Sequence, residues 1–166
     1  MRSIVLAFVV TFLLSVIPVQ AAGETIDISS LRLSAPVVPV RYYQLPSGAW
    51  TLTVPCWEAA GVWEAGENTI LLGHSYHPAC GGVFNALHHA RVGQTVRYGG
   101  HQWEIVRVKT GIKPQESHWL WPTAERRLTL ITCWPAHSVR TRMVIIARQV
   151  SNALSAPVPM QLHTYL

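Results

Sequence analysis

A single thiol closes the run Thr129-Leu130-Ile131-Thr132-Cys133, an apolar stretch rich in β-branched residues, and Arg142 follows nine residues later. A thiol of pKa about 8.5 is mostly protonated at neutral pH, so a nucleophilic cysteine needs a base or a cationic neighbour. His74 ends the segment Asn68-Thr69-Ile70-Leu71-Leu72-Gly73-His74, where a ring can be held at a strand end beside a groove. As imidazole it can accept the proton; as imidazolium it can stabilise a thiolate and later protonate a leaving amine. Arg142 adds a permanent charge and a fork of donors suited to a carbonyl oxygen becoming an oxyanion. Acyl transfer through a covalent intermediate is the chemistry these three residue types could perform together.

Each has a plainer role when taken alone. Cysteine is among the most buried residue types, so Cys133 by itself reads as a core thiol. His74 could form half of a metal site with His77, and His101, His118 and His137 compete with it as the functional histidine. Arg140 is placed much as Arg142 is. A non-catalytic exported β domain that binds metal through His74, His77, His88 or His89 is the alternative to an enzyme.

The elements that must position these groups read as strands. Residues 26–33 and 36–45 look extended, with prolines at edges and bends. Residues 50–54 alternate after the turn-forming Pro46-Ser47-Gly48, and 68–72 form a short apolar run between Gly66 and Gly73. Residues 95–98 and 102–109 flank Gly99-Gly100, the signature of a hairpin. Residues 127–132 and 142–150 complete the pattern, and only 82–90 reads as a short helix. Many short strands with turn signals predict an all-β fold closed into a barrel.

Composition sets the compartment. Arg2 precedes an uncharged apolar stretch that ends in Pro18 and Val19-Gln20-Ala21, the arrangement of an export signal. The rival is an uncleaved membrane anchor, since 3–22 approaches the roughly 20 residues that span a bilayer. Residues 1–22 are therefore expected to direct an extracytoplasmic location, 26–150 to form one domain, and 151–166 to be a loosely attached tail. The net charge is +5 with scattered Lys and Arg, which suits an acidic cell envelope rather than nucleic acid. Three cysteines in an exported domain suggest one disulfide and one thiol kept free. Cys56 and Cys80, both in loop-like settings, are the natural pair; three free thiols are the alternative.

Taken in order, Asn68 to His74, Thr129 to Cys133 and Arg142 to Ala147 resemble the three signature segments of the sortase family. The resemblance spans roughly residues 26–150, and the short connection before Arg142 resembles the classes with a compact final hairpin. It implies an eight-stranded barrel with one or two short helices and a catalytic triad of His74, Cys133 and Arg142, without a cofactor. By the same resemblance, Cys133 would cleave a Leu-Pro-x-Thr-Gly-like sorting signal of a surface protein between Thr and Gly. The acyl group would pass to a peptidoglycan or pilin amine, or to water in a peptidase. Thr132 would help line the site, and Ile112, Trp119 and Trp121 would receive the Leu-Pro part. Apart from the resemblance, Cys80 lies close in sequence to His74, so a bond between Cys56 and Cys80 would pin the histidine loop.

Overall fold

The protein is described from a computed structural model, which gives residues 24–44, 50–53, 59–79, 81–138 and 140–150. The leader, Cys56, Cys80 and the tail lie outside these described residues. Among the described residues no helix is long and apolar enough to cross a membrane.

Among the described residues nine strands follow one another: β1 (Thr25–Ile28), β2 (Leu33–Pro39), β3 (Arg41–Gln44), β4 (Trp50–Thr53), β5 (Ala60–Leu72), β6 (Thr95–Tyr98), β7 (His101–Ile112), β8 (Thr123–Trp134) and β9 (Thr141–Gln149). Seven of them close a barrel in the order β1-β2-β5-β8-β9-β7-β6, with Asp27 opposite Arg97 where β1 meets β6. The all-β barrel is as expected; its strand count is seven rather than eight.

The difference arises in the first third of the chain. The run 26–33 is interrupted by a 3-10 turn at Ser29–Leu31, after which Arg32 adopts a left-handed φ of 52° and its N–H donates to the Ser29 carbonyl. The flanking pieces, β1 and β2, pair with each other as an antiparallel hairpin. The run 36–45 also divides: β2 pairs in parallel with β5, while β3, among the described residues, pairs only with β4, Tyr42 opposite Leu52. A two-stranded ribbon outside the barrel thus uses up segments that resemble barrel strands in sequence.

Elsewhere local chemistry prevails. Gly99 and Gly100, with φ of 60° and 72°, supply the two left-handed residues of the tight turn joining β6 to β7, with Tyr98 opposite His101. The expected helix over 82–90 is a 3-10 helix at Asn85–His89.

Inside the barrel, alternate residues of each strand converge. Ile26, Ile28, Leu71, Val96, Ile105, Leu128, Leu130 and Ile145 are fully buried, and Phe84 and Leu87 plug one side. The outer face of β5, β8 and β9 is buried too, because the segment joining β7 to β8 folds back over it. Ile70, Ile131, Val144 and Ile146 pack there against Trp119, which lies in a 3-10 turn at Ser117–Leu120. Each such side chain contributes about 1.5–3 kcal/mol by leaving water. This double coverage explains why β8 reads as a continuous apolar run rather than an alternating one.

Candidate active site

The covered outer face ends where β8 and β9 present Cys133 and Arg142 and where His74 follows the end of β5. β5 and β8 run parallel, with Leu72 opposite Ile131. The pairing continues past the end of β5: the Gly73 N–H donates to the Ile131 carbonyl at 3.2 Å, and Thr132 Oγ1 donates to the Gly73 carbonyl at 2.9 Å. His74 follows directly, two residues past the end of β5, and Cys133 lies two residues past Ile131 on β8. On the other side, β8 and β9 are antiparallel and Cys133 is the direct partner of Arg142. Side chains of such a pair leave the same face about 4.5–5.5 Å apart at Cβ. The face is fixed by alternation, since Ile131 and Val144, two residues from Cys133 and Arg142, belong to the outer cluster.

All three side chains are half-buried. Cys133 is a free thiol. The His74 ring lies 5.3 Å from that of His77, and Arg142 Nη1 donates to the Thr141 carbonyl at 3.2 Å. Arg140, which sequence alone does not separate from Arg142, is exposed and outside β9. The competing histidines have other neighbours. His101 starts β7 at its opposite end and contacts Gln149, His118 stacks on Trp119 with ring centroids 4.1 Å apart, and His137 packs on Tyr76 at 3.9 Å.

The remaining expected site residues divide. Thr132 is buried and turns inward, where its hydroxyl ties β8 to Gly73. Ile112 is the β7 partner of Arg142 and half-covers the outer cluster. Trp119 is 7% exposed and fills that cluster, whereas Trp121 is 61% exposed. Among the described residues no group of three or more His, Cys, Asp or Glu is arranged to hold a metal.

Two residues take on structural roles that sequence alone does not assign. Asn68 is fully buried and makes four hydrogen bonds. It donates to the carbonyls of Trp119 and Trp121, each at 3.0 Å, and accepts from Arg127 Nε at 3.2 Å and Thr129 Oγ1 at 2.7 Å. It thereby anchors the covering segment to β5 and β8. Burial holds the Arg127 guanidinium below its ordinary pKa. The other is His88, read from sequence only as a metal candidate: its Nε2 lies 3.1 Å from the Cys133 carbonyl.

The helix carrying His88 approaches closely because Gly73 and Gly82 lack side chains. A Cβ on Gly73 would stand 2.6 Å from the Phe84 ring, and one on Gly82 would overlap the Ser75 carbonyl. Gly73→Ala is expected to cost about 1–3 kcal/mol through this overpacking, read as a lower urea midpoint; an unchanged midpoint would show that Phe84 yields freely.

A Sortase domain model matches residues 26–150, and the chain belongs to the sortase family, whose members are cysteine transpeptidases. The fold is similar to that of Listeria monocytogenes sortase A, with 19% identity, a TM-score of 0.60, and coverage of 76% of this chain and 86% of that one. It is also similar to sortase C1 from Streptococcus agalactiae, with 17% identity, a TM-score of 0.58, and coverage of 78% and 67% respectively. A Clostridium perfringens sortase D5 transpeptidase matches at 16% identity and a TM-score of 0.57, over 76% of this chain and 78% of that one. No curated protein matches significantly.

Proposed function

We propose that this sortase is an exported transpeptidase whose nucleophile is Cys133, whose acid and base is His74 and whose oxyanion donor is Arg142. The observation that carries the reading is the register that pairs Cys133 on β8 with Arg142 on β9 and, through Gly73 and Ile131, brings His74 just past β5 to the same end of the sheet. The thiolate of Cys133 attacks the carbonyl carbon of a threonine in a Leu-Pro-x-Thr-Gly-like signal. Arg142 holds the oxyanion, and the carbon–nitrogen bond to glycine breaks as His74 gives its proton to the departing amine. A thioester remains. An amine of peptidoglycan or of a pilin subunit then attacks it, His74 takes the amine's proton, and the carbon–sulfur bond breaks to release the thiolate with a new amide in place. Charge supports the location: a chain of net charge +5 suits an acidic envelope outside the cytoplasm.

Incubating the protein with a sorting-signal peptide, with and without an added amine, tests the reading by product mass. Transpeptidation yields the amide adduct whenever the amine is present. Cleavage to the free acid alone, at the same rate with and without amine, would make the protein a peptidase. Absence of both products would overturn the reading.

A further inference from the structure

The carbonyls of a strand point alternately to its two sides, so the carbonyls of Ile131 and Cys133 face the same neighbour, β5. The first accepts from the Gly73 N–H at 3.2 Å. β5 itself ends at Leu72, so its regular ladder no longer supplies a donor to the second. A side chain from another element fills that place: His88 Nε2 approaches the Cys133 carbonyl at 3.1 Å. A carbonyl oxygen only accepts, so Nε2 carries the proton. The ring is held by an edge-on contact with Trp134, centroids 4.9 Å apart.

The same short turn also grips the histidine loop. The Phe84 N–H, just before the Asn85–His89 helix, donates to the His74 carbonyl at 2.9 Å. Phe84 and Leu87 are fully buried in the barrel core, which leaves the turn little freedom to shift. One rigid element therefore holds the main chain of both His74 and Cys133.

We propose that His88 is a positioning residue: its Nε2–H takes the place of the missing β5 ladder donor on the Cys133 carbonyl and fixes where the thiol sits relative to His74 and Arg142. The proposal rests on the reading of Cys133 as the nucleophile. His88 itself neither accepts the thiol proton nor touches the peptide; its action is through the main chain. A misplacement of reacting groups by about 1 Å can cost on the order of 100-fold in rate, and acylation is the step exposed to it.

The test compares wild type, His88→Ala and His88→Gln, the glutamine amide nitrogen lying close to where Nε2 lies. With a sorting-signal peptide, His88→Ala is expected to lose about 10- to 100-fold in kcat while KM changes little, and His88→Gln to recover most of the loss. An alanine variant as fast as wild type would overturn the proposal. A glutamine variant as slow as the alanine variant would also overturn it, since the imidazole would then be needed for more than its donor. Alkylation of Cys133 by iodoacetamide, followed on its own tryptic peptide, separates this proposal from the proposed function. Even if no peptide is cleaved, a changed alkylation rate in His88→Ala that returns in His88→Gln supports the positioning role, and identical rates in all three proteins refute it.

Discussion

Replacing Cys133 by alanine is expected to abolish thioester formation and to leave the barrel folded. The side chain lies at the end of β8, half-buried, outside the fully buried set formed by Leu128, Leu130 and Ile145. Its truncation removes one sulfur from a partly solvated edge, so the stability cost should be under about 1.5 kcal/mol, well below the 2–5 kcal/mol typical of a core leucine. Activity behaves differently, because the other two groups have nothing to act upon once the nucleophile is gone. Losses on the order of 10⁴- to 10⁶-fold are usual for such a residue. Arg142→Ala should be milder, about 10²- to 10³-fold, since it removes a donor to the oxyanion and leaves the attack itself possible. The pair of variants makes a sharp comparison. Mass spectrometry of the protein mixed with sorting-signal peptide should show the acyl adduct in wild type, a slowly formed adduct in Arg142→Ala and none in Cys133→Ala. An adduct on Cys133→Ala would move the nucleophile elsewhere.

Strand pairing explains why so much of the candidate site's framework was legible in the sequence. Asn68 to Gly73, Thr129 to Thr132 and Met143 to Ala147 each carry the apolar density of a strand covered on both sides, and such density marks the centre of a sheet. Their mutual order is set by long-range parallel and antiparallel registers, which no local pattern encodes; only the resemblance of the three segments taken together supplied it. The strand count failed for the same reason. Nothing in residues 36–45 states that β2 will find β5 while β3 will find only β4. Arg32 is a second blind spot, because a non-glycine residue at positive φ gives no compositional sign of the turn it makes. His88 is the third: the need for its N–H arises only where β5 stops pairing with β8 and leaves an acceptor behind.

Asn68 shows how a residue of the same signature segment can serve the site from a distance. Asn68→Ala should lower stability by about 3–5 kcal/mol, the largest cost expected of a single polar substitution here. The change deletes both donors to the covering segment and both contacts accepted from β8. Thr129 would keep a buried hydroxyl without its 2.7 Å acceptor, and the half-buried Arg127 guanidinium would retain only the Trp119 carbonyl, at 3.0 Å from Nη2. Buried polar groups left unpaired cost the full desolvation penalty, so truncating the hub outweighs the loss of its bonds counted singly. The damage should be local as well as global. Trp119 packs on Ile70, Ile131, Val144 and Ile146, and its main chain is tied down through Asn68 and Arg127. Hydrogen exchange in residues 117–122 should accelerate in the variant well before the barrel strands lose protection. Urea unfolding would measure the global term, and a loss below about 1 kcal/mol would mean that water replaces the asparagine at little cost. Because the covering segment packs on Ile131, two residues before Cys133, its loosening should raise KM for a sorting-signal peptide more than it lowers kcat, the reverse of the change expected at His88.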